Sequence, residues 1–216
     1  MLRAILWDND GVLVDTERLF YEANRELFAP LGVALSEQHF FDWYLADNCG
    51  AWHLMQPQPT PAQIDAWRSE RNRQYALRLV GEQIPAIAGV GEVLSSLAPR
   101  LRMGVVTSSN HEHFHIIHAR LDLLRHFEFV LTHESYANSK PSPEPYLLGL
   151  ERLGLGPEQC IVVEDSPRGL QAATAAGMRC LILRNHLTRH YDFPGAYRVV
   201  DTMPQLLAEI EALLAD

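Results

Sequence analysis

Short apolar runs alternate with amphipathic segments along this chain. Ala4 to Trp7, Met103 to Val106, Phe129 to Leu131, Cys160 to Val163 and Cys180 to Leu183 are of strand length. Runs of that kind between helical patterns predict an α/β fold, a parallel sheet covered by helices. The pair Val199-Val200 predicts a further edge strand. After it, the spacing of Leu206, Leu207, Ile210 and Leu213 predicts a closing helix over residues 204–214, with Pro204 in its first turn.

The interval between the first two strands breaks this rhythm. About 95 residues separate Trp7 from Met103, whereas a strand–helix–strand crossover needs only about 30. The extra chain reads as helices. Residues 18–28 carry apolar positions at helical spacing and stop before Pro30, residues 37–44 follow Ser36, and residues 61–80 open with Thr60 as N-cap and Pro61 in the first turn. A helical insert over residues 16–84 is therefore expected within a core formed by residues 1–15 and 85–216. Residues 91–97 then supply the crossover helix into the second strand.

With 216 residues and 47% hydrophobic content, the chain can bury a substantial core. Its formal net charge of -9 disfavours general attraction to nucleic acid or to an anionic membrane, so an anionic ligand would have to be met locally. Cys49, Cys160 and Cys180 form no CxxC pair, and reduced thiols are the simpler reading. The chain reaches Asp8-Asn9-Asp10 before any stretch of signal-peptide length, and no run is long enough to span a bilayer, so a cytoplasmic location is expected. A monomer is the default, because no long exposed apolar seam is visible.

Four polar clusters follow or adjoin the apolar runs, and in an open α/β sheet such positions converge beyond the strand ends. Asp8 and Asp10 follow the first strand, Thr107-Ser108-Ser109-Asn110 the second, and Glu164-Asp165-Ser166 the strand starting at Cys160; Lys140 lies in Asn138-Ser139-Lys140-Pro141. Two carboxylates at the mouth of a buried strand repel each other and are costly to desolvate, so a cation or a shared proton must compensate. Each cluster also has an ordinary reading: a solvated turn, a helix cap for Thr107 and Ser108, an exposed lysine, or acids favouring a helix start. Lys140 is the only lysine in a chain that otherwise uses arginine, which weakens the surface reading for it.

Taken in order, the motifs WDNDGVLVDTE, VVTSSN, SKPSPEPY and VVEDSPRGLQAATAAGM resemble those of the haloacid dehalogenase-like superfamily of aspartyl-nucleophile phosphatases, over essentially the whole chain. The resemblance implies a Rossmann-like sheet with an inserted helical cap, which matches the long insert. It implies Asp8 as nucleophile, a carboxylate already ionised at neutral pH, and Asp10 as the acid and base that serves the leaving alkoxide and then the hydrolytic water. It also implies Mg2+, suited to an oxygen-only site with few carboxylates. Asp8 and Asp165 would bind the ion by side chain and Asp10 by its carbonyl, with Glu164 a further ligand or an acceptor behind the ligands. Thr107 and the Ser108 amide would hold phosphoryl oxygens, and Lys140 would neutralise charge on nucleophile and phosphate.

The expected function is Mg2+-dependent hydrolysis of a small phosphorylated metabolite. Dehalogenases of the superfamily lack the second acid, and phosphonate hydrolases replace it and use a cap lysine; here Asp10 is present and the insert contains no lysine. A sugar phosphomutase of the β-phosphoglucomutase type is the alternative, weakened because Phe20 stands near where its cap histidine would be. A non-catalytic module that senses a phosphorylated ligand is a third reading, against which both acids argue. Substrate choice should lie in the insert, with Asn48, Trp52 and His53 as candidate readers, Arg71 or Arg73 as further ones, and hinges near Asp15-Thr16 and Ile84-Pro85. The cluster His111, His113, His115 and His118, with 111, 115 and 118 on one helix face, is read as solvated, titrating near neutral pH, rather than as metal ligands.

Overall fold

In the computed structural model, which describes residues 1–215, six parallel strands form a single sheet. They are β1 (Ala4–Trp7), β2 (Arg102–Val106), β3 (Phe129–Leu131), β4 (Cys160–Glu164), β5 (Arg179–Leu183) and β6 (Arg198–Val200), in the spatial order β3-β2-β1-β4-β5-β6. The expected strands are present, several of them longer by one residue where a polar neighbour joins the ladder.

Both faces of the sheet are covered, and the two-residue period of each strand divides its side chains between two cores. Ile5, Trp7, Met103, Val105, Ile161 and Val163 pack on one side with α4 (Val90–Leu97), α5 (His111–His118) and α8 (Met203–Ala215). Leu6, Val106, Val162 and Ile182 pack on the other with α6 (Glu144–Leu153) and α7 (Pro167–Ala175). Among the described residues, no helix is long and apolar enough to cross a membrane. The three cysteines are free thiols.

Between β1 and β2 lie α1 (Glu17–Phe28), α2 (Glu37–Phe40) and α3 (Pro61–Gly81). The helix expected over 37–44 runs on to Ala46, changing to π geometry at Phe41. Ser36 caps α2 by accepting the His39 N–H, and Thr60 with Gln63 forms a reciprocal capping box at α3. Phe28, Val33, Leu35, Phe40, Tyr44 and Trp52 make a separate apolar cluster in this helical cap. The base of the cap is not separate, because Leu19, Ala23, Tyr75 and Leu79 belong to the sheet's own core. The two connecting segments pair with each other: Asp15 N–H donates to Pro85 O (3.1 Å), Ile87 N–H to Leu13 O (3.0 Å), and Val14 bridges Ala86 in antiparallel sense.

Candidate active site

The chain leaves central β1 toward β2 on one side and later returns to β4 on the other, so the crevice beyond the strand ends opens at β1 and β4. Asp8 continues the ladder there, its N–H donating to Val163 O at 2.9 Å. Thr107 does the same from β2 to Leu131 O, also at 2.9 Å. Glu164 ends β4 and Asp165 follows it.

Lys140 is only 2% exposed, and its ammonium donates to Asp8 Oδ1 (2.6 Å), Glu164 Oε1 (2.7 Å) and Val106 O (3.0 Å). All of its N–H groups are thereby used. Glu164 Oε1 also accepts from the Tyr146 hydroxyl (2.9 Å), while Oε2 accepts from the N–H groups of Asp165 and Ser166 and from Ser166 Oγ at 3.0–3.1 Å. Burial opposes charge on the lysine, but Asp8 and Glu164 outweigh it and raise its pKa. Burial likewise opposes charge on Glu164, and the lysine with the two N–H groups outweighs that, lowering its pKa. This pair is therefore charged.

Asp8, Glu164 and Asp165 place carboxylate oxygens within 4.8 Å of one another, all buried. Lys140 pulls Asp8 down, yet burial prevails and pushes its carboxyl up to about 7. Asp165 is also raised, by burial and then by the charges of Glu17, Glu164 and Asp8. One ammonium does not balance this set, and the donor chemistry fits a hard divalent cation. The backbone is shaped around the acids. Gly11 adopts φ +78°, and a Cβ there would stand 2.1 Å from Asp165 Oδ2; a Cβ on Gly169 would stand 1.9 Å from Glu164 Cδ.

Asp10 faces the other way, toward hydroxyls. Its Oδ1 accepts from Thr16 Oγ1 (2.6 Å), and its Oδ2 from Ser109 Oγ (2.7 Å), Thr107 Oγ1 (3.2 Å) and Asn9 Nδ2 (3.2 Å). The cap of α5 is Asn110, whose Oδ1 accepts the His113 N–H at 2.8 Å. Thr107 and Ser108 are thus not engaged as that helix's cap. Ser108 lines the small recess, about 20 Å³, shared with Asp8, Asp10, Lys140, Glu164 and Asp165.

A larger cavity of about 420 Å³ adjoins the recess, between the cap and the strand ends. Asn48, Trp52 and Arg71 line it, whereas His53 and Arg73 are not among its lining residues. His53 is exposed, its Nδ1 at 3.2 Å from Gly50 O and its ring edge-on to Trp43, because the short helical turn from Trp52 points it outward. Trp52 is also a cap-core residue, packed on Phe28 and stacked parallel to Trp67 at 6.0 Å. Arg73 is exposed and paired with Glu70. Arg71 has no carboxylate within salt-bridge distance among the described residues, and burial lowers its pKa.

Glu17 and Arg168 line both cavities, and neither was singled out from sequence although both stand inside the quoted motifs. Burial, then the charge of Asp10, pushes Glu17 up to about 8. Arg168 donates to Asn48 Oδ1 at 2.9 Å, and Asn48 Nδ2 donates to Lys140 O at 3.2 Å, so this loop residue bridges cap and core. The histidine reading needs correction at two positions. His111 and His115 are exposed, but α5 turns His113, Phe114, Ile117 and His118 inward; burial lowers the pKa of His113 and takes that of His118 to about 4.

A charged Lys140 between two acids, a third acid beside them and an acid-bearing turn therefore stand together at the open edge of a capped α/β sheet. Residues 5–183 match the family described as haloacid dehalogenase-like hydrolase, and the chain belongs to that family. It is a phosphatase of that family, a phosphoric monoester hydrolase. The chain is 32% identical over 179 residues to the phosphorylated carbohydrates phosphatase of Thermotoga maritima, covering 82% of each protein. It is 30% identical over 230 residues to Protein CbbY of Cereibacter sphaeroides, covering 95% of this chain and 94% of that one. A mutant CbbY from Rhodobacter sphaeroides, solved in complex with xylulose-(1,5)bisphosphate, is similar with a TM-score of 0.79 at 26% identity, covering 94% of this chain and 95% of that chain.

Proposed function

We propose that this phosphatase hydrolyses a small phosphorylated sugar through an aspartyl-phosphate on Asp8, with Mg2+ as its ion. The observation that carries the mechanism is the grip of Lys140 on one oxygen of Asp8. Among the described residues Lys140 is the only side-chain donor to that carboxylate, which leaves Oδ2 available at the recess. That oxygen attacks phosphorus, the bond from phosphorus to the sugar oxygen breaks, and Asp10 gives its proton to the departing alkoxide. Asp10 then takes a proton from the water that attacks the aspartyl-phosphate, returning Asp8 to its carboxylate form.

Asp8 and Asp165 would hold Mg2+ through side-chain oxygens, with Asp10 contributing its carbonyl. Both oxygens of Glu164 already carry hydrogen bonds, which favours its role as the acceptor that keeps Lys140 in place. When bound, the ion supplies positive charge against the nucleophile and the phosphoryl oxygens. Ser108 lines the recess and would offer its amide to those oxygens, whereas the Thr107 hydroxyl is buried and donates to Asp10, a bond it would exchange to meet them.

The sugar belongs in the larger cavity. Arg71, Asn48, Trp52 and Glu17 offer it a cation, an amide, an aromatic wall and a carboxylic acid, and the name of one relative and the sugar-phosphate ligand of another point the same way. Residues 16–84 act as the closing unit about the paired connectors at Asp15 and Pro85. The test is Mg2+-dependent phosphate release across a panel of sugar phosphates, by wild type and by Asp8→Asn. Turnover surviving in Asp8→Asn overturns the covalent mechanism, and isomer formation from a hexose 1-phosphate primed with a bisphosphate would make the chain a mutase.

A further inference from the structure

Asn9 stands between the two acids of the first motif and is wholly buried. Its carbonyl accepts N–H groups from Leu13 (2.8 Å) and Val14 (3.1 Å), which locks the turn beneath the acids. Its side chain reaches two groups. Nδ2 donates to Asp10 Oδ2 at 3.2 Å, and Oδ1 lies 2.7 Å from His118 Nε2 on α5.

The chemistry of these groups fixes the direction of the chain. The amide nitrogen of Asn9 faces Asp10, and its oxygen, which can only accept, faces the histidine. His118 Nε2 must then carry the hydrogen. Its Nδ1 is buried without a partner, as the unprotonated nitrogen of a neutral ring, and the ring lies against Phe114 at 4.3 Å. A neutral imidazole held this way is a fixed donor.

From this contact we infer that His118 is a positioning residue for catalysis: acting through Asn9, it aims an amide N–H at Asp10 and so holds the acid–base carboxylate in its reactive orientation. His118 lies 109 residues from Asn9 and is not among the residues lining the recess at Asp8. The other donors to Asp10 are hydroxyls, from Thr16, Thr107 and Ser109, which can rotate away. The amide cannot, provided its oxygen is anchored. The inference rests on the reading of Asp10 as the acid and base.

The test is steady-state kinetics with an aryl phosphate and Mg2+ on His118→Leu, His118→Gln, Asn9→Leu, the double variant His118→Leu/Asn9→Leu, and Asp10→Asn. Loss of an outer partner that orients a reacting group costs roughly 10- to 100-fold in activity, so kcat of His118→Leu should fall by that factor with KM within about twofold of wild type. His118→Gln, whose amide N–H can replace Nε2, should recover most of the loss, and the double variant should be no worse than Asn9→Leu alone. A kcat for His118→Leu within about twofold of wild type, an equal defect in His118→Gln, or multiplied losses in the double variant overturns the inference. Should His118→Leu fail to fold, an unchanged kcat in Asn9→Leu overturns it by itself. Full turnover in Asp10→Asn would instead remove the acid–base reading on which it stands.

Discussion

Replacing Lys140 by methionine keeps an unbranched stem and deletes one buried charge. In the native protein that charge meets Asp8 at 2.6 Å and Glu164 at 2.7 Å, all three side chains being almost inaccessible. Glu164 retains Tyr146, Ser166 and the backbone N–H groups in the variant, but Asp8 loses its side-chain donor. Removing one partner of a buried ion pair costs about 3–5 kcal/mol, a large share of the ~5–15 kcal/mol that holds a domain folded. The loss should depend on pH. Without the lysine the folded-state pKa values of Asp8 and Glu164 rise, and a carboxyl raised on folding contributes stability that is present below its unfolded value of about 4 and is lost as pH rises through the folded value. Urea unfolding in EDTA, followed by tryptophan fluorescence, should therefore show a small deficit for Lys140→Met at pH 5 and the full deficit at pH 8. Lys140 itself stays charged throughout that window and adds no slope to the wild type. A deficit below about 1 kcal/mol at pH 8, or the same deficit at both pH values, would refute the claim that this lysine compensates buried carboxylates.

Two further outcomes separate the cap from the core. Arg71→Met should raise KM about 10-fold for the preferred sugar phosphate with kcat little changed, because it removes binding shared by ground and transition states, whereas Arg73→Met should leave both constants unaltered. Equal effects in the two variants would remove Arg71 from the substrate cavity. Protonation of His118 gives the second. Its pKa is lowered to about 4 by burial while the unfolded chain protonates near 6.5, so the stability it contributes is complete above pH 6.5 and is lost as pH falls toward 4. The shift corresponds to about 3 kcal/mol. Denaturation of wild type against His118→Gln between pH 4 and pH 7.5 should show this extra acid sensitivity in the wild type alone, and parallel curves would contradict it.

The cluster at the strand ends was legible because its residues sit inside short motifs that end strands. Asp8, Thr107 and Glu164 each follow directly from an apolar run, with Asp165 next to Glu164, and parallel strands carry their C-terminal ends to one edge. Lys140 was marked by being the chain's single lysine. The cavity beneath the cap was legible only in part. Asn48, Trp52 and Arg71 reach it, but His53 turns outward, and a loop without periodicity gives no means of telling which of two adjacent side chains points in.

The amino-acid order by itself determined the strand-and-helix alternation, the length of the insert and the acids of the site, because these depend on local hydrophobic period and on motifs of adjacent residues. Tertiary structure alone decided which polar side chains became buried. His118 lies on a face that reads as solvated, yet α5 packs so that its ring meets Asn9 across 109 residues of chain. Asn185, with no motif of its own, donates to Asp165 at 2.7 Å. Glu17 became an acid with a raised pKa because it is buried and Asp10 lies nearby. Such pairings depend on how helices dock across the sheet, a relation between distant segments that no local pattern contains.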